Sequence, residues 1–188
     1  MRDFHDWGAP ERKFLAGGTL SVGEAQGGGQ VIEGYASLFG RVDQGGDMVA
    51  PGAYAASLAA GASAGRRVKM LWQHDPAQPI GVWDEVREDA TGLWVKGRLL
   101  TGVAQGREAA ELLAAGAIEG LSIGYRTVKA ERDVKGIRRL AQVDLWEVSL
   151  VTFPMQAEAR VQAKAAEAEC WRHVAAVLAE MTEVMKAR

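Results

Sequence analysis

Residues 30–152 run as a succession of short strand-like segments, each closed by Gly, Asp or Pro, and this rhythm limits the fold more than any other feature. Residues 30–39 (QVIEGYASLF) are rich in β-branched and aromatic side chains and read as a strand. Residues 67–74 (RVKMLWQH) alternate, so a strand there puts Val68, Met70, Trp72 and His74 on one face, and Asp75-Pro76 breaks it. Residues 80–88 and 93–100 predict a β-hairpin joined at Asp89-Ala90-Thr91-Gly92, with glycine at the turn. Residues 121–130 and 137–152 are two more strands, separated by a turn at 133–136, and Pro154 ends the second. With a short first strand at 19–22, ended by Gly27-Gly28-Gly29, the count is about seven. Because most of them follow one another through hairpins or short connections, the expected class is mainly β with helices (α+β). An antiparallel barrel or sandwich with peripheral helices fits, and a doubly wound parallel sheet does not.

Pro51 suits the first residue of a short helix over 54–60, which Gly61 can end. Residues 103–115 (VAQGREAAELLAA) form a second helix by propensity, with Gly116 as the residue after it. Residues 40–48, rich in Gly and Asp, read as a loop. Residues 1–18 have no clean period and are expected to be a flexible N-terminal arm. Residues 157–188 contain neither Gly nor Pro and predict a long C-terminal helix. On it Trp171, Val174, Leu178, Met181 and Met185 recur at spacings of three and four, a stripe that packs on the chain's own barrel or docks another helix.

A net charge of −2 gives no basic excess pointing to nucleic acid. No apolar run reaches the roughly 18–20 residues a membrane span needs, and the acidic, h-region-free N-terminus is not a secretory signal. The single cysteine, Cys170, forbids an internal disulfide and suits a reducing cytoplasm. With three histidines in all, two of them in the tails, a His/Cys zinc site is not expected. No phosphate-binding glycine loop occurs.

His74 is the one histidine in the body of the chain, and it lies where a strand gives way to a loop. Ser122 lies in Gly120-Leu121-Ser122-Ile123-Gly124-Tyr125, flanked by small residues that let a substrate backbone approach. By letters this is GxSxG, but the helix that should follow a nucleophile elbow is missing. A serine needs a base, and the base a third group to orient it. Glu147, a carboxylate inside an apolar strand, is costly to bury unless paired, and a histidine N–H would pair it. Asp144 and Asp75 compete for that role, and periodicity does not choose among the three. Each residue also has a bland reading as an ordinary strand serine, strand-end histidine or solvent-facing acid.

Four stretches in order resemble the prohead (capsid maturation) serine proteases of tailed phages. They are Gly34-Tyr35-Ala36-Ser37-Leu38-Phe39 with residues 43–52, Met70-Leu71-Trp72-Gln73-His74-Asp75, Gly120-Leu121-Ser122-Ile123-Gly124-Tyr125, and residues 145–154 (LWEVSLVTFP). The likeness covers residues 19–160, and the protease domain it implies is 19–156. That family is similar in fold to the herpesvirus capsid proteases, a β-barrel of seven strands flanked by helices. The resemblance implies a serine endopeptidase acting inside the immature procapsid, in the cytoplasm of a bacterial host. Its implied partners are the major capsid protein with its scaffolding segment, the portal, and the protease itself through self-cleavage and self-association. No nucleic acid, membrane, metal or cofactor is implied. Carried over by motif, Ser122 is the nucleophile, His74 the general base and Glu147 the group that orients it. Glu147 stands where the herpesvirus enzymes have a second histidine. Their arginine pair, associated with the oxyanion site, has no counterpart before Arg160, which leaves the oxyanion donors unassigned. The rival readings are a catalytically inactive capsid-assembly or scaffolding module of the same fold, and a different β-rich hydrolase such as an esterase.

Overall fold

The computed structural model describes residues 30–43, 45–118, 120–134 and 136–152, and the backbone of 11–15 and 21–24. The helix expected at 157–188 and its apolar stripe lie outside the described residues, as does the segment after Pro154. Among the described residues there are nine strands and two helices, in the order β1 (Glu11–Leu15), β2 (Ser21–Glu24), β3 (Gln30–Leu38), β4 (Asp47–Val49), α1 (Ala55–Ser63), β5 (Lys69–Trp72), β6 (Asp75–Glu88), β7 (Gly92–Leu99), α2 (Ala104–Ala114), β8 (Gly120–Arg132) and β9 (Arg138–Val151). Two strands were not expected: β1 lies inside the stretch read as a flexible arm, and β4 begins within the Gly/Asp loop and ends one residue past it.

All nine strands join one sheet of order β1-β8-β9-β5-β6-β7-β3-β2, with β4 also against β9. This corrects the antiparallel barrel. The sheet is mixed, because β4 and β5 both run parallel to β9. It is also open, with β1 and β2 at its two ends, although it curls far enough for β3 to approach β8. The result is a half-barrel. The parallel pairs have two origins. The chain reverses an even number of times between β5 and β9, so the two run in the same sense and pair in parallel where the sheet brings them together, while the helical connection through α1 leaves β4 running in the same sense as β5.

β4, α1 and β5 lie in turn along one edge of β9. β4 pairs with residues 138–140 and β5 with residues 147–150. Between them the helix bulges away, and loose atoms complete the ladder. The Val143 N–H donates to the Ala53 carbonyl at 3.0 Å. The Leu145 N–H donates to Ser57 Oγ at 2.8 Å, and Arg66 donates to the Leu145 carbonyl at 3.4 Å. A buried backbone N–H needs a partner, and here a helix side chain supplies it. The start of α1 carries no side-chain cap of its own. The Glu88 carboxylate reaches across from β6 instead and accepts the N–H groups of Gly52 and Tyr54. Pro51 lies in the turn before the helix rather than in it, and the helix runs through Gly61 to Ser63.

The concave face holds the core, with Ile32, Met70, Ile80, Leu93, Leu99, Ile123, Leu145 and Val148 among the side chains almost fully withdrawn from solvent. Helix α2 adds Ala109 and Leu113 to it. The β6–β7 hairpin forms where expected, for a different reason at its glycine. Gly92 is needed because a Cβ there would lie 1.9 Å from the Ser37 carbonyl oxygen of β3. The turn itself is set by the Asp89 carboxylate, which accepts the N–H groups of Thr91 and Gly92. Those bonds, the Thr91 N–H foremost, together with those from the Tyr35 hydroxyl and Arg87, hold the Asp89 pKa down to about 2.

Ser57→Ala tests the α1–β9 seam. It strands the buried Leu145 N–H and should destabilise the protein by about 1–3 kcal/mol in urea unfolding. A change below about 0.5 kcal/mol would mean the N–H finds another acceptor.

Candidate active site

His74 does not end a strand. β5 stops at Trp72 and β6 begins at Asp75, so Gln73 and His74 form a two-residue turn. Both have positive φ, 51° and 64°. That left-handed pair is characteristic of the tight type I′ hairpin turn, which normally carries Asn or Gly. Two larger residues in this region store strain, of order 1–3 kcal/mol each. Their surroundings hold them there. The Gln73 N–H donates to the Leu150 carbonyl at 2.9 Å, tying the turn to β9. The Gln73 side-chain amide donates to Thr152 Oγ1 at 2.6 Å. Asp75-Pro76 does not end the strand either. β6 starts there and bulges before Pro79, which pairs with Leu71.

β8 and β9 supply the rest. Their antiparallel register sets Ser122 opposite Ser149 and Gly124 opposite Glu147. These four residues alternate along two paired strands, so they share one face, and the turn carries His74 onto it. Ser122 Oγ lies 2.7 Å from His74 Nε2, and His74 Nδ1 lies 2.6 Å from Glu147 Oε1. The second carboxylate oxygen, Oε2, accepts the Ser149 hydroxyl at 2.5 Å. All four side chains are buried. The structure therefore brings Ser122, His74 and Glu147 into one hydrogen-bonded line.

The chemistry of that line follows from its bonds. A buried carboxylate needs compensation, and Glu147 has two donors, one on each oxygen. As the acceptor facing Nδ1, it favours the tautomer with the proton on Nδ1. Nε2 is then left as a base facing the Ser122 hydroxyl. If the imidazole takes the serine proton, the charge that develops sits beside the carboxylate.

The rival acids are engaged elsewhere. Asp144 receives Arg66 at 2.7 Å, Trp146 Nε1 at 2.8 Å and the Ser57 hydroxyl at 3.2 Å. Burial acts to raise its pKa, but the bonds from Trp146 and Arg66 outweigh it and hold the carboxyl below its usual range. Asp75 accepts the Ala77 N–H and the Gln78 amide in its own strand.

Three further residues serve this arrangement: the sequence reading gave Ser149 and Gln73 no part, and gave Gly124 only that of a small residue admitting a substrate. Ser149 lies two residues from Glu147 on the same strand, so alternation was a usable signal for it. Gln73 adjoins His74, but nothing in its residue type announces an anchored turn. Gly124 leaves room for the carboxylate: a Cβ there would fall 2.0 Å from Glu147 Oε1. Its neighbour is across the sheet, which local sequence does not reveal.

Residues 19–173 match the family described as caudovirus prohead serine protease. The chain is 33% identical over 136 residues to the prohead protease of Enterobacteria phage HK97, covering 71% of this chain and 59% of that protein. It thus spans less than two thirds of that relative's length. Among solved structures, the capsid assembly protease of bacteriophage T4 superposes with a TM-score of 0.59 at 16% identity, over 77% of this chain and 99% of the other. At that identity the likeness is one of fold.

Gly124→Ala should push the Glu147 carboxylate off His74 without unfolding the sheet. The expected result is a rate of Ser122 phosphonylation by a fluorophosphonate lowered by about 10²-fold, with unchanged circular dichroism. An unaltered rate would show that the carboxylate does not need this gap.

Proposed function

The chain belongs to the caudovirus prohead serine protease family, and from that premise we propose that it is the serine endopeptidase that matures a tailed-phage-like procapsid. Ser122 is the nucleophile, His74 the general base and Glu147 the residue that orients the imidazole. The observation that carries this reading is the unbroken line Ser122 Oγ–His74 Nε2 and His74 Nδ1–Glu147 Oε1, at 2.7 and 2.6 Å, in a chain of this family.

The reaction is acyl transfer. Ser122 Oγ attacks the scissile carbonyl as its proton passes to His74 Nε2. The tetrahedral intermediate collapses, His74 returns the proton to the departing amine, and the acyl group stays on Ser122. Water then attacks the ester, again deprotonated by His74, and regenerates the serine. Glu147 keeps its negative charge throughout and stabilises the imidazolium. Ser149 and Gln73 are positioning residues: the first fixes the carboxylate, the second the turn that carries the base.

The substrates in this reading are the scaffolding region of the major capsid protein and the protease itself, with the portal as a further contact. The setting is the procapsid assembling in the host cytoplasm. The name of the HK97 relative and the family match support this assignment.

Co-expression with the cognate capsid protein tests it, with mass spectrometry of the capsid protein's N-terminus. Ser122→Ala should leave that N-terminus untrimmed, and trimming that persists sinks the proposal. Among the acids, Glu147→Gln should lower the cleavage rate by about 10³–10⁴-fold. Asp144→Asn should change it by less than about threefold. The opposite ranking would move the orienting role to Asp144.

A further inference from the structure

A protease nucleophile must meet a peptide backbone, yet Ser122 has no exposed surface at all in this structure. Something beside it has to move. On one side Ser122 pairs with Ser149 of β9. β9 is the hub of the sheet, bonded to β8, β5 and β4, and it carries Glu147. It cannot leave without dismantling the site. On the other side Ser122 pairs with Phe14 of β1. β1 is five residues long and, among the described residues, stands at the end of the sheet and bonds to β8 alone.

We infer that the outer edge of β8 at residues 121–125 is the substrate-binding edge, and that β1 holds it in place of a substrate. The occupant it is built for is an extended polypeptide segment that adds to the sheet antiparallel to β8, with one residue opposite Ser122. A strand edge offers a row of backbone donors and acceptors that takes any extended chain, with side chains adding the selectivity. β1 uses that row with the register Glu11↔Tyr125, Lys13↔Ile123, Phe14↔Ser122 and Leu15↔Leu121. β8 continues to Arg132, and among the described residues no strand covers its outer edge beyond Tyr125. In this antiparallel sense, the upstream part of a longer substrate would run along that uncovered stretch.

The inference rests on the proposed endopeptidase reading, but its test does not. The probe is a fluorescein-labelled peptide of residues 8–18 (GAPERKFLAGG), bound to full-length protein in the Ser122→Ala background so that none is consumed. An end strand turns every second N–H to its neighbour, so Lys13→Pro with Phe14→Pro removes at least one bond from β1 to β8 in any phase. Where β1 holds the edge, peptide affinity is reduced by the fraction of molecules in which the edge is open. The double substitution should therefore tighten binding by about tenfold or more. Unchanged binding in the folded variant overturns the inference.

Hydrogen exchange on the chain without proline changes gives an independent reading. Added peptide should strip protection from residues 11–15 while residues 121–125 stay protected. Protection retained at 11–15 in the peptide complex overturns the inference as well. The endopeptidase reading fails separately: in the protein with Ser122 intact, it is lost if a fluorophosphonate leaves Ser122 unlabelled with β1 both in place and released.

Discussion

A carboxylate withdrawn into the middle of a sheet is the constraint that organises this molecule. Glu147 is tolerable there because His74 and Ser149 donate to its two oxygens and because Gly124 leaves the space it fills. Each of those residues is fixed by a different piece of the fold. Ser149 follows from strand alternation, Gly124 from the β8–β9 register, and His74 from a strained turn tied to the end of β9. Removing any one leaves a buried charge short of a partner. The site and the sheet are therefore one object: the packing that holds β5, β8 and β9 together also sets the hydrogen-bonded line.

Much of the fold was legible because local signals were strong. The strand runs at 30–38, 92–99, 120–132 and 138–151, and the helix at 104–114, fall close to where composition and punctuation put them. The mixed topology was not legible, since it depends on which strands meet in three dimensions: β5 and β4 both dock on β9, with α1 between them. A helix between two strands can flank a barrel or act as a crossover. The choice was made by contacts such as Ser57 on Leu145 and Ala53 on Val143, which join residues far apart in sequence. β4 and β1, of three and five residues, were too short for a periodic signal to register.

The candidate site was legible in its residues and not in its geometry. Motif order singled out Ser122, His74 and Glu147, and the structure sets them 2.7 and 2.6 Å apart. Sequence placed His74 on the face of a strand, because nothing in Gln73-His74 announces a left-handed turn. The reason for the turn is distant: it is held by Leu150 and Thr152, more than seventy residues on. The choice between Glu147 and Asp144 needed the same long-range information. Arg66 and Ser57 engage one acid and His74 the other.

The parallel pairing of β5 with β9 also sets when the hydrogen-bonded line can exist. Lys69 to Trp72 align with Glu147 to Leu150, so the turn carrying His74 has no dock until the last described strand has been made. Contacts this distant in sequence close late and slowly. During synthesis the ribosome releases Ser122 and His74 well before the segment that aligns them, and a chain cut short before Glu147 has no line to form. The order in which the strands emerge thus puts the assembly of the hydrogen-bonded line at the end of the described fold.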